Sequence, residues 1–97
     1  MRIGDYVRTK DGYISKIKEL GINIYTDVGC WSEDYIIKSR QNIIDLIEAG
    51  DYVNGRIVEW IGDNFVAFGK LDYAYEKDIK SIVTKEQFES IKYIVKE

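Results

Sequence analysis

The chain has 97 residues, of which 45% are hydrophobic, 32% charged and 13% aromatic, with one cysteine, no histidine and no proline. Within one chain such a set cannot build the usual zinc sites, histidine proton shuttles, Ser-His-Asp triads or Cys-His pairs, so neither an enzyme nor a metal or cofactor protein is expected. A chain this short buries only about three fifths of its unfolded surface, which predicts a single domain over residues 1–97. The unpaired Cys30, the absence of an apolar leader in residues 1–5 and the lack of any run near ~18 apolar residues predict a soluble, cytoplasmic protein.

The apolar set is dominated by 16 Ile, 7 Val and 8 Tyr against 3 Leu and 3 Ala. These are residues of pleated, half-buried strands, and glycines recur in turn dipeptides such as Asp11-Gly12 and Asn54-Gly55. In chain order, strands are expected at 4–8, 12–19, 22–27, 34–38, 51–61, 64–70, 79–83 and 92–96. Between the fourth and fifth, Asn42 is placed to cap one helical turn that Gly50 ends. After the seventh, Thr84 and Gln87 form a capping box for a helix of about two turns that buries Phe88 and Ile91. The expected fold is mainly β (α+β): a small curved antiparallel sheet or an SH3-like barrel with a short C-terminal helix.

An internal echo divides the chain into two similar halves, about 1–40 and 48–97. Gly4-Asp5-Tyr6-Val7 recurs as Gly50-Asp51-Tyr52-Val53. Skipping three residues lays Asp11-Gly12-Tyr13-Ile14-Ser15-Lys16-Ile17 against Asn54-Gly55-Arg56-Ile57-Val58-Glu59-Trp60. Residues 33–38 likewise resemble 77–82.

The net charge of −3 is uneven: +2 over residues 1–26, −6 over 27–78 and +1 over 79–97. Within the acidic middle, Trp31, Glu33 and Asp34, and then Asp72, Tyr73, Tyr75, Glu76 and Asp78, interleave aromatic rings with carboxylates. With Asp63 they are candidates for a surface that meets a basic partner. The alternative is that these tyrosines are ordinary strand residues and the acids a solvated face. Trp60, in an apolar run, is expected in the core; Trp31, after Gly29-Cys30, is expected as an exposed anchor, and Cys30 as a small buried hydrophobe. Direct nucleic-acid binding is disfavoured by the charge, although Arg2, Arg8, Lys10, Lys16 and Lys18 offer a local basic face on which Tyr6, Tyr13 or Tyr25 would stack bases.

Gly4-Asp5-Tyr6-Val7-Arg8-Thr9-Lys10-Asp11-Gly12, the stretch 42–55 beginning Asn42-Ile43-Ile44-Asp45-Leu46-Ile47, and the stretch 76–88 beginning Glu76-Lys77-Asp78-Ile79 resemble small proteins encoded by phages and prophages of Gram-positive, low-GC bacteria. The resemblance covers most of the chain, less well over 21–35 and 61–75. It implies a phage accessory protein and names no catalytic residue. Small phage proteins of this kind are often inhibitors of host defence, including anti-CRISPR proteins. The resulting expectation is a non-enzymatic inhibitor, monomeric or a small homo-oligomer in the host cytoplasm. It would present Trp31, Glu33, Asp34, Asp63, Asp72, Tyr73, Tyr75, Glu76 and Asp78 as a nucleic-acid mimic to a defence nuclease. The competing expectation is a small barrel that binds nucleic acid or a nucleotide signal through the N-terminal basic face.

Overall fold

A computed structural model describes residues 1–91 and Val95. The strands are β1 (Tyr6–Thr9), β2 (Ile14–Leu20), β3 (Ile24–Thr26), β4 (Cys30–Trp31), β5 (Ile36–Arg40), β6 (Tyr52–Val53), β7 (Arg56–Ile57), β8 (Trp60–Ile61), β9 (Phe65–Ala67), β10 (Tyr73–Tyr75) and β11 (Ile82–Val83). Helix α1 (Lys85–Ile91) follows, and 3-10 turns occupy Glu33–Tyr35, Ile43–Leu46 and Glu76–Asp78. The fold is mainly β, as expected, in three antiparallel sheets ordered β4-β3-β2-β1-β5, β10-β9-β8 and β11-β6-β7. The strands are divided among three small open sheets, and no closed barrel forms among the described residues. The expected strand 92–96 lies outside the described residues except for Val95. The radius of gyration is 14.3 Å, against about 12.5 Å for a compact chain of this length, because the molecule is a slab of 42 × 39 × 18 Å.

The two halves share one order of pairing: a hairpin meander, a 3-10 turn, and a last strand that returns to the first. Gly4 and Gly50 take φ of 95° and 96°, a region L side chains rarely enter. Their amides donate to Ile17 O and Val58 O, both at 2.9 Å, and Ile17 N and Val58 N donate back to Asp5 O and Asp51 O, both at 2.8 Å. The carboxylates of Asp5 and Asp51 accept from the amides of Arg2 (3.0 Å) and Glu48 (2.8 Å). These bonds match Ile17 to Val58 rather than to Trp60, so the second half is shorter by five residues in its first hairpin, not three. Asn54-Gly55 accounts for this: φ of 53° and 81° closes a tight turn between β6 and β7, and with a second break at Val58-Glu59 the expected strand 51–61 becomes β6, β7 and β8. In the C-terminal part of each half, residues 33–40 correspond to 76–83, because Val7 pairs with Ser39 and Val53 with Ile82.

The cores are unequal. The second half buries Ile47, Val53, Val58, Val66 and Ala74, with Ile61, Phe68, Ile79 and Ile82 against them. The first half buries Val7, Ile17 and Ile24, with Ile36. Val7 is flanked across both ladders by Ser15 and Ser39, whose hydroxyls are buried without a partner.

A charged cluster joins the halves. Arg8 is fully buried, and its guanidinium donates to both carboxylate oxygens of the fully buried Asp51, to Leu46 O (2.9 Å) and to both oxygens of Glu86 (3.0 and 2.9 Å). Asp51 also accepts the Lys85 amide at the start of α1 (2.9 Å). Beside it, Glu48 pairs with Lys85 (2.7 Å) and Lys38 (3.0 Å). The Lys85 hydrogen bond, with help from Lys38 and Arg8, outweighs burial and lowers the Glu48 pKa to about 2. Burial alone would lower the pKa of Arg8, but its bonds to Asp51 and Glu86 raise it on balance. The capping box is present: Gln87 N donates to Thr84 Oγ1 (3.3 Å) and Thr84 N to Gln87 Oε1 (3.1 Å). Thr84 Oγ1 also donates to Gly12 O (2.8 Å), which ties α1 to the first half. The helix covers less than expected. Phe88 stacks on Tyr52 (4.8 Å) but stays 38% exposed, and Ile91 is 73% exposed.

The expected turn at 42–50 is the 3-10 turn Ile43–Leu46. Asn42 occupies its N-cap position without a side-chain bond, and Ile44 and Leu46 are buried.

Candidate interaction surface

In the sheet β8-β9-β10, Ile61, Val66 and Ala74 align across the strands and face the core. Side chains alternate between faces along a strand, so the opposite face carries the row Trp60, Ala67, Tyr73 and the pair Phe65, Tyr75. The rings meet edge to face: Trp60–Phe65 at 5.1 Å and 85°, Phe65–Tyr73 at 5.2 Å and 86°, and Trp60–Tyr73 at 6.4 Å and 90°. Ala67, between Trp60 and Tyr73, is fully covered although it faces away from the core. The rings remain accessible, with Trp60, Tyr73 and Tyr75 exposed to 47–48%. Gly62 permits the packing, since a Cβ there would run into the Phe65 ring.

The expected acidic residues surround this face in different states. Asp63 lies exposed in the β8–β9 connection and Glu76 in the 3-10 turn after β10; no ion pair holds either among the described residues. Asp72 pairs with Arg56 (3.0 Å), which in turn stands 4.6 Å over the Phe68 ring. Asp78 accepts the Tyr75 amide (3.2 Å), closing the turn. Two of the four carboxylates are thus committed to local structure.

The structure brings Asp63, Asp72, Tyr73, Tyr75, Glu76 and Asp78 to one sheet and its turns. Trp31, Glu33 and Asp34 belong to the other half, on β4 and the 3-10 turn that follows it. The two tryptophans exchange their expected roles. Trp31 pairs opposite the buried Ile24, rests on Tyr13 (ring centroids 5.9 Å apart) and is half-buried, while Trp60 lies on the outer face. Cys30, expected buried, is exposed because it takes the outward position next to Trp31. Trp60 and Phe65 are the surface residues that the reading of charge and aromatic spacing missed. Their signal was the alternation Trp60-Ile61 against Phe65-Val66-Ala67 around the Gly62-Asp63-Asn64 turn.

The N-terminal basic face is smaller than its sequence implies, because Arg8 is buried in the joint. Tyr6 is paired across the ladders with Lys16 and Arg40, and Lys16 Nζ stands 5.7 Å from its ring. Among the described residues no helix is long and apolar enough to cross a membrane, and no group of three His, Cys, Asp or Glu is placed to hold a metal ion.

The internal repeat supplies a control for the aromatic face. The row Trp60, Ala67, Tyr73 corresponds to Glu19, Tyr25, Cys30 in the first half, and Tyr75 corresponds to Ser32. The same order of strands forms there with mostly polar side chains, so the backbone does not require the rings. Compared with family models, curated proteins and solved structures, the chain shows no match.

Proposed function

We propose that this chain is a non-enzymatic phage accessory protein that binds and inhibits a host defence nuclease, such as a CRISPR effector, by occupying its nucleic-acid groove. The observation that carries the contact is the cluster Trp60, Phe65, Tyr73 and Tyr75, in which three rings are about half exposed at positions where the equivalent sheet has Glu19, Cys30 and Ser32. Rigid aromatic rings supply buried area at small entropic cost. Asp63 and Glu76, in no ion pair among the described residues, supply negative charge toward a basic groove. The resemblance to phage proteins supplies the biological setting. Trp31, Glu33 and Asp34 form a separate acidic-aromatic patch on the first half and extend the contact only if the partner spans both sheets.

The test is capture of defence nucleases by the tagged protein, followed by an inhibition assay with the captured nuclease. Binding and inhibition are expected to fall steeply with added salt and to be lost in Trp60→Ala/Tyr75→Ala and in Asp63→Lys/Glu76→Lys. Asp72 and Asp78 are left intact because their carboxylates hold Arg56 and the Tyr75 turn. Undiminished inhibition by both variants would overturn the reading. The competing reading, in which the N-terminal basic face of Arg2, Lys10, Lys16 and Lys18 binds nucleic acid directly with Tyr6, Tyr13 or Tyr25 stacking on bases, predicts instead a low-salt gel shift that Lys16→Glu/Lys18→Glu removes.

A further inference from the structure

One cross-strand row of the first half differs from its counterpart in the second in a way the shared backbone does not require. On β1, Tyr6 pairs with Lys16 on one side and Arg40 on the other, so the three side chains stand together on one face of the sheet. The corresponding row of the second half is Ile57, Tyr52, Val83. There the tyrosine ring is covered, because α1 delivers Phe88 to stack on it at 4.8 Å and 29°. After β5 the chain forms instead the 3-10 turn Ile43–Leu46, which buries Ile44 and Leu46, and no ring stacks on Tyr6 among the described residues. Where the ring lacks a stacking partner, both flanking positions carry cations in place of aliphatic side chains.

Those two cations are not committed to carboxylates. Lys16 Nζ stands 5.7 Å from the Tyr6 ring, and Arg40 Nη1 donates to the neighbouring Ser39 O (2.8 Å). Neither is in an ion pair among the described residues, whereas Lys38, on the same strand as Arg40, is held by Glu48 (3.0 Å). Asp27, beside Lys16, accepts its backbone amide (3.2 Å).

We propose that Tyr6, Lys16 and Arg40 form a site for a free nucleoside monophosphate, with the base stacked on Tyr6 and the phosphate between the ammonium and the guanidinium. The Tyr52–Phe88 pair shows that this position presents a ring face to a second ring, and unpaired cations on both flanks select a ring that carries negative charge. A strand would need successive rings along a basic path. The neighbouring tyrosines do not continue this one, since Tyr13 rests on Trp31 and Tyr25 is flanked by Glu19 and Cys30. The site therefore goes beyond the strand-binding alternative, and it stands apart from the proposed inhibition because it lies on the other half from the aromatic face.

Adenosine monophosphate, titrated into the full chain at low salt and followed by side-chain resonances, tests this. Saturable shifts are expected at the Tyr6 ring and the Arg40 guanidinium, with none at Trp60 or Tyr73. Adenosine, which lacks the phosphate, and inorganic phosphate, which lacks the ring, should each bind about tenfold or more weakly, and Tyr6→Leu or Lys16→Glu/Arg40→Glu should weaken the monophosphate by a similar factor. Tyr6→Phe keeps the ring and should bind as the parent does, and native dispersion of the Ile17 and Ile24 methyl resonances shows that each variant is folded. Absence of saturable shifts, equal binding of adenosine, undiminished binding by Tyr6→Leu, or binding confined to a single-stranded oligonucleotide, which would return the face to the strand-binding alternative, each overturns the proposal.

Discussion

Arg8→Met tests the joint between the halves. The guanidinium makes five hydrogen bonds, four of them to carboxylate oxygens. Its loss leaves Glu86 free to turn toward water, since its side chain is 29% exposed, but leaves Asp51 with no exposure and no direct ion-pair partner among the described residues, the Lys85 ammonium acting on it only at longer range. Stranding one partner of a buried ion pair costs about 3–5 kcal/mol. Asp51 keeps the Glu48 and Lys85 amides as donors, which places the expected loss near the lower end, about 3 kcal/mol. For a chain of this size the whole folding stability is of order 5–15 kcal/mol, so the variant should be folded but marginal. Urea unfolding followed by tryptophan fluorescence measures it, because Trp31 reports the first half and Trp60 the second. In the parent background, Trp60→Phe and Trp31→Phe versions should give coincident transitions; with Arg8→Met the midpoints should separate. Adding Asp51→Asn should recover part of the loss, since the stranded charge is gone. A cost below about 1 kcal/mol, where isolated surface ion pairs fall, or strict additivity with Asp51→Asn, would refute the argument.

Glu48 should give the acid limb of stability. Its folded pKa of about 2 is lowered from the ordinary 4.5, so its contribution is present above pH 4.5 and lost as pH falls from 4.5 toward 2. Glu48→Gln should flatten that limb by about 1–2 kcal/mol after allowance for solvent screening, read by urea unfolding at pH 3 and pH 7. Ser39→Ala should stabilise by up to about 1 kcal/mol, because an unpartnered buried hydroxyl is removed; a lower urea midpoint would show that the hydroxyl is satisfied. Asn54→Gly should cost about 1–2 kcal/mol through lost bonds to Asp78 O, Lys80 N and Ser81 N. Asn54→Ala should cost more, since alanine also resists the φ of 53°; equal thermal midpoints for the two variants would contradict the backbone part of that reasoning.

Local chemistry made some elements legible. Thr84 and Gln87 announce the helix start, and the repeated Gly-Asp-Tyr-Val marks where each half begins because glycine supplies the positive φ and aspartate accepts a backbone amide there. Very short strands were harder. Cys30–Trp31 and Tyr73–Tyr75 span two and three residues, too few for a period to be counted, and pairing with a neighbour decides them. The tryptophans were misplaced for a related reason. Apolar neighbours in sequence pointed Trp60 inward, but β-strand side chains alternate, and burial of Ile61 opposite Val66 sends Trp60 out. Arg8 was counted as a surface cation because nothing near it in sequence announces Asp51 or Glu86, 43 and 78 residues away.

The two halves separate what the backbone needs from what a surface adds. Positions kept in both are those that set the chain path or fill the smaller core: the glycine at positive φ, the capping aspartate, and the aligned Val7/Val53, Ile17/Val58 and Ile24/Val66. Positions that differ most are the outer rows, where Glu19 and Cys30 stand for Trp60 and Tyr73. Aromatic pairs contribute about 0.5–1.5 kcal/mol each beyond area burial, so the rings do stabilise the second sheet by covering Ala67. They do so while leaving about half of three large rings in water. Ala67 alone could be shielded by smaller side chains with less apolar exposure; in the proposed function, the excess ring area is what a partner would remove from water.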